Sequence, residues 1–208
     1  MKTFLALILS YLIGSIPTAY LFGRFCKGID IRQHGSGNIG ATNAFRVLGK
    51  GLGSLVLALD ILKGIAATVV LPVLLGMPDQ TGLYVLLGLV AVAGHNWTCF
   101  LQFKGGKGIA TSLGVLIGLT INIASIRPVL AATVFIWLIV FLISGIVSLS
   151  SIVAAVILPV SMVLTDQSFP LVSLGAVFCI FVVVRHRPNI KRLFSGKEPR
   201  VYFSRKRS

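Results

Sequence analysis

Three short stretches hold most of the side chains able to do chemistry. The first, HGSGNIGATNAFRVLGKG over 34–51, alternates Gly35, Gly37 and Gly40 with Ser36, Asn38, Thr42 and Asn43 ahead of Arg46. Glycines let successive backbone amides turn toward one point, which makes an anion-binding nest. Hydroxyl and amide side chains add donors, and Arg46 brings a planar fork suited to phosphate. A turn followed by a helix cap at Ser36 or Thr42 accounts for the same residues without a ligand. The second stretch, FKGGKG over 103–108, frees amides at a helix start beside Lys104 and Lys107, and helix N-termini favour anions. A tight turn with two orienting lysines is the plainer alternative. A nucleotide-binding Walker loop is excluded, because position 101 is Leu and position 108 is Gly. The third, RHRPNIKRLFSGKEPR over 185–200, sets His186, Asn189 and the protein's only glutamate, Glu198, among cations. Such a histidine suits proton acceptance or a hydrogen bond to substrate, although one at the end of an apolar run is also an ordinary interfacial residue.

The elements that must position these residues are apolar. Of 208 residues, 56% are hydrophobic and 12% charged, about half the ~25% charge of an ordinary soluble domain. A bilayer span needs about 20 predominantly apolar residues, and seven stretches qualify: 3–23, 52–75, 81–103, 108–126, 129–146, 149–165 and 169–184. The expectation is an all-α membrane protein, a bundle of about seven transmembrane helices. It forms a single domain over 1–208, with motif loops at 24–51, 103–108 and 185–200. The first apolar run is longer than the roughly 7 to 15 residues of a signal-peptide core and lacks a small-residue cleavage site, so it reads as a permanent helix. Cys26, Cys99 and Cys179 show no metal-ligand spacing, and no metal site is expected.

Lys and Arg placement orients the bundle. With the N-terminus outside and the C-terminus cytoplasmic, sixteen of the nineteen basic residues fall inside and only Lys2 and Arg127 outside, Lys63 lying within a span. All three polar stretches then share the cytoplasmic face. The tail residues Arg205, Lys206 and Arg207 are expected to meet anionic lipid headgroups. The net charge of +14 needs no nucleic-acid partner. Asp60 and Lys63 stand at i, i+3 within a span, as a structural ion pair or as part of a transport or proton path. His95 and Asn96 either support the second stretch or cap packing there. A transporter of an anionic or phosphorylated solute is the alternative class of function. One-sided polar clusters and the lack of an internal repeat weigh against it.

In this order and at these intervals, SGNIGATNAFR (36–46), GHNWTCFLQFKGGKG (94–108) and HRPNIKRLFSGKE (186–198) resemble the motifs of the acyl-phosphate:glycerol-3-phosphate acyltransferases, the bacterial integral-membrane PlsY family. DILKG (60–64) and SGIVSLSSI (144–152) are similar to family segments too, so the resemblance covers nearly the whole chain. One departure is Thr98, which follows Trp97 where the family commonly has proline. The resemblance implies an enzyme of the bacterial inner membrane with its active site on the cytoplasmic side. It would move a fatty acyl group from acyl phosphate to the 1-hydroxyl of glycerol 3-phosphate, without a cofactor, giving lysophosphatidic acid and phosphate. Its partners would be those two substrates and membrane lipids. Lys104, Lys107 and the amides of Gly105, Gly106 and Gly108 are expected to bind phosphate. Ser36, Asn38 and Arg46 are expected to orient substrate and stabilise developing oxyanion charge, with Ser36, Arg46 and His186 the catalytic set. The resemblance adds Ser148, Asn189 and Glu198 as substrate-binding residues. His186 takes the hydroxyl proton, or it hydrogen-bonds substrate while a phosphate oxygen takes that proton.

Overall fold

Proline decides the first element. Helix α1 (Lys2–Ser15) stops where Pro17 denies the next turn its amide and forces Ile16 out of helical geometry, to ψ 114°. The chain resumes as α2 (Thr18–Lys27), bent 44° from α1. The stretch expected as one helix over 3–23 is therefore two. This computed structural model describes residues 1–201; the basic tail at Arg205, Lys206 and Arg207 lies outside the described residues. Among them there is no β-strand.

After α2, Asp30 caps a single 3-10 turn (Ile31–Gln33), and α3 (Ala41–Leu48) follows. The expected loop over 24–51 is thus largely structured. Helix α4 (Lys50–Ile65) passes through a π-helical turn (Ala66–Val70) into α5 (Leu71–Leu74). Then come α6 (Thr81–Asn96), α7 (Ile109–Asn122), α8 (Arg127–Ser144), α9 (Val147–Leu164) and α10 (Phe169–Arg185). A last short helix, α11 (Arg187–Phe194), leaves α10 at 63°, so the expected loop over 185–200 also contains a helix. Every apolar stretch is largely helical, although the one over 81–103 leaves its α-helix at Asn96; by length and hydropathy only four segments among the described residues are full spans, or six if each bent pair counts as one. At 14 residues, α7 is about 21 Å long, short of a hydrocarbon core of about 30 Å.

In lipid, helices associate through close backbone approach and hydrogen bonds rather than through a water-driven hydrophobic effect. Gly14 of α1 lies against the backbone of Ala91, and Gly64 of α4 against that of Thr111 and Gly114. Hydrogen bonds reinforce the first contact: Ser10 donates to the Leu87 carbonyl and Tyr11 to that of Trp97, both at 2.6 Å. Thr98 donates to the Ser15 carbonyl at 2.6 Å and accepts from the Phe100 amide. The residue that departs from the family pattern thus caps the turn after α6 and ties it to the end of α1. The apolar core gathers Leu119, Met162, Leu171, Leu174 and Phe178. Helix α8 turns Phe135, Leu138, Leu142 and Ile143 outward.

The break between α1 and α2 is held from α4. Lys63 donates to the Ile16 carbonyl and to Asp60 Oδ1 at 2.7 Å, and Thr18 donates to the same carboxylate oxygen at 2.6 Å. Both charged side chains are buried. This geometry makes the pair a brace at a helix discontinuity, where backbone groups must be satisfied inside the protein. Removing one partner of such a pair strands the other, at about 3–5 kcal/mol, whereas removing both is far milder. Lys63→Met is therefore expected to lower the unfolding midpoint of purified protein sharply. Asp60→Asn with Lys63→Met should recover a large part of the loss, which thermal unfolding in detergent measures.

Candidate active site

The first polar stretch is shaped by an asparagine. Asn43, buried at the start of α3, accepts the Ser36 amide at 2.8 Å and donates to the His34 and Ile31 carbonyls. Gly37 donates to the His34 carbonyl, and Asn38 Oδ1 accepts the Gly40 amide at 2.9 Å. Three amides of the expected nest are thus engaged within the loop. Gly35, at φ 63°, is confined to glycine because a Cβ would fall on Asn43 Oδ1. The loop instead presents side chains: Ser36 and Arg46 are exposed and Asn38 half-buried.

The second stretch corrects another expectation. The Gly105 amide donates to the Asn96 carbonyl at 3.2 Å and the Gly106 amide to the His95 carbonyl at 2.9 Å. Neither amide is available to a phosphate; the two glycines let the chain lie flat against the end of α6. A Cβ at Gly106 would collide with the His95 ring, and one at Gly105 with the His95 carbonyl. His95 and Asn96 thus support the second stretch through their backbone. Gly108 opens α7 with φ 79°. Lys104 projects exposed on one side, and Lys107, half-buried, donates to Asn189 Oδ1 at 2.6 Å on the other.

The third stretch closes the arrangement. At the bend between α10 and α11, His186 Nδ1 lies 2.8 Å from the Val182 carbonyl. A carbonyl can only accept, so Nδ1 carries the proton and Nε2 is the acceptor of the neutral ring. Burial, then the charge of Lys107, pushes the His186 pKa down to about 4 despite the Val182 bond and Glu198. Glu198 accepts from Ser148 at 2.7 Å, Asn189 at 2.5 Å and Arg192 at 2.7 Å. Burial pushes its carboxyl up, but those three donors outweigh burial and hold it below the usual range. Burial pushes Lys107 down to about 8; Glu198 opposes the shift, while Arg192, Arg185 and Arg46 add to it. Arg46 of the first stretch is thereby within electrostatic reach of the second.

The pieces meet at a cleft of about 410 Å³, lined by Ser36 and Asn38 from the first stretch, Lys104 and Gly105 from the second, and Arg185 from the third. Two lining arginines were missed in the sequence. Arg32 makes a two-point pair with Asp30 (2.6 and 3.0 Å) and lies 5.0 Å above the Tyr20 ring. That hydrogen-bonded pairing lowers Asp30 to a pKa of about 2. Arg185 donates to the carbonyls of Gly105 and Gly106. The Asp-x-Arg spacing at the 3-10 turn was the one legible signal for Arg32. Among the described residues no group of three or more His, Cys, Asp or Glu side chains is placed to hold a metal ion. What the arrangement offers is a cationic, donor-rich cleft, while Arg46, Lys107 and the buried His186 stand outside its lining, His186 one residue beyond the lining Arg185.

Comparison with known proteins agrees with this chemistry. Residues 4–196 match the family model described as glycerol-3-phosphate acyltransferase. The chain is 48% identical over 196 residues to the glycerol-3-phosphate acyltransferase of Desulforudis audaxviator (strain MP104C), covering 94% of this chain and 93% of that one. It is 46% identical over 195 residues to glycerol-3-phosphate acyltransferase 2 of Moorella thermoacetica (strain ATCC 39073 / JCM 9320), covering 93% and 95%. Its fold is similar to two crystal structures of PlsY (YgiH), an integral membrane glycerol 3-phosphate acyltransferase. The glycerol 3-phosphate form superposes with a TM-score of 0.87 at 35% identity, the lysophosphatidic acid form with 0.84 at 34%. Each comparison covers 97% of this chain and 96% of the other.

The lowered pKa of Lys107 has a sign that binding can read. An ordinary lysine keeps its charge to about 10.5, whereas this one loses it as pH rises through about 8. Affinity for sulfate, an anion of constant charge, is expected to fall between pH 7 and 9. Lys107→Arg should flatten that fall, as isothermal titration across the range will show.

Proposed function

Because the chain belongs to the glycerol-3-phosphate acyltransferase family, we propose that it takes its acyl group from acyl phosphate. The group passes to the 1-hydroxyl of glycerol 3-phosphate, giving lysophosphatidic acid and inorganic phosphate. The protein is an integral-membrane acyltransferase of phospholipid synthesis. We read the whole chain as one domain of about seven spans in a bacterial inner membrane, N-terminus outside. The active site faces the cytoplasm, where the small phosphorylated acceptor is dissolved. The observation that most supports this reading is the convergence of Ser36, Asn38, Lys104 and Arg185, from three distant stretches, on one cleft.

An acyl phosphate is a mixed anhydride and needs no further activation. The acceptor hydroxyl oxygen forms a bond to the acyl carbon, the bond from that carbon to the bridging phosphate oxygen breaks, and phosphate leaves with the electron pair. Lys104, Lys107 and Arg46 hold the phosphate charges, and Ser36 and Asn38 orient the reacting groups as positioned donors. His186 Nε2 accepts the hydrogen bond of the attacking hydroxyl. With Lys107 and Arg185 nearby, an imidazolium is disfavoured, so the proton ends on the departing phosphate. Ser148, Asn189 and Glu198 keep Lys107 and the start of α11 in register.

Purified protein supplied with acyl phosphate and glycerol 3-phosphate is expected to form ester and release phosphate in equal amounts. Movement of solute across a vesicle wall without ester would instead favour a transporter. Charge-assisted hydrogen bonds contribute about 1.5–3 kcal/mol each, so Lys104→Ala and Lys107→Ala should each raise KM for a phosphorylated substrate by about tenfold or more. His186→Ala, which removes one orienting hydrogen bond, should lower kcat by about tenfold, and near-normal turnover would remove His186 from the reacting centre.

A further inference from the structure

We propose that Arg185 is a positioning residue that sets the register between the second and third motifs through the carbonyls of Gly105 and Gly106. Its Nε donates to the Gly106 oxygen at 2.9 Å and its Nη2 to the Gly105 oxygen at 2.5 Å. The guanidinium lies 5.9 Å from the Trp97 ring centre, and Trp97 meets Phe181 of α10 edge-on at 5.1 Å. The same two glycines give their amides to Asn96 and His95. Their backbone is therefore fastened on one edge by α6 and on the other by the last residue of α10. Lys104 and Lys107 flank this glycine pair on opposite sides, and His186 follows Arg185 directly. One planar fork thus fixes where two cations stand relative to the imidazole, a task that a single-point ammonium cannot perform.

This inference rests on the acyl-transfer reading for its kinetic arm but not for its binding arm. The binding arm measures sulfate affinity against pH for wild type and for Arg185→Lys, Arg185→Gln and Arg185→Ala, with exposed Arg187→Ala as control. Arg185→Lys keeps the charge that Lys107 feels but not the fork. It should therefore leave the alkaline fall in affinity near pH 8 while weakening sulfate binding by about tenfold, as expected when the competent loop is a minor population. Arg185→Gln and Arg185→Ala should weaken binding comparably and also shift that fall to higher pH. In the kinetic arm all three should lower kcat by at least about tenfold and raise KM for both substrates together. Wild-type binding and turnover in Arg185→Lys, or a KM change confined to one substrate, would overturn the proposal by making Arg185 a point charge on that substrate. Should Arg185→Ala fail to fold, Arg185→Lys and Arg185→Gln decide alone. An inactive wild type that binds sulfate as described would sink the acyl-transfer reading and leave the positioning role standing.

Discussion

The site depends on four hydrogen bonds made by two consecutive glycines. Gly105 and Gly106 direct their amides to the end of α6 and their carbonyls to Arg185, so a stretch of backbone outside any helix is satisfied on both edges. Backbone groups near the apolar zone tolerate no other arrangement, since each one left unpaired costs roughly as much as a full hydrogen bond. Only residues without a Cβ can lie so close to His95 and Asn96. The cations of the second motif inherit their positions from this constraint.

A second constraint lies deeper. Where Pro17 interrupts the first apolar stretch, a buried ion pair on α4 fastens the break. The α1–α6 contact, with Gly14 against Ala91 and Thr98 tied to Ser15, holds the same corner from the other side. The loop carrying Ser36 and Asn38 leaves the end of α2, and the loop carrying Lys104 leaves the end of α6. Bracing α1, α2, α4 and α6 at one corner therefore fixes the distance between the two motifs. Polar residues buried among the helices here satisfy a break in the backbone and hold the helix ends from which the motif loops leave.

Much of this could be read from the residue string, and the remainder marks where local pattern ends. The apolar stretches became helices because their length and composition allow little else in lipid. Ser36, Asn38, Lys104, Lys107, Asn189 and Glu198 drew notice as donors and charges at short spacing, and the fold draws them to the cleft or to the network beside it. Spacing could not reveal that the Gly105 and Gly106 amides have partners, because those partners are carbonyls at the end of another helix. Arg185 looked like one more orienting cation, and Arg32 like a loop charge, until their neighbours appeared. Pro17 breaks the first apolar stretch, and only three dimensions show that Lys63, nearly fifty residues later, answers the break. Contacts between distant segments are what a one-dimensional pattern lacks.

Glu198 is the sole glutamate of the chain, and it collects donors from α9, from α11 and from the residue that aligns Lys107. Three positions later the Val201 amide reaches back to the Gly145 carbonyl at the corner of α8 and α9. During synthesis this carboxylate leaves the ribosome after every apolar helix has already been made. Assembly of this network consequently waits on residues made after every apolar helix, and a polypeptide cut before Glu198 would keep those helices yet leave Ser148, Asn189 and Arg192 without their shared acceptor.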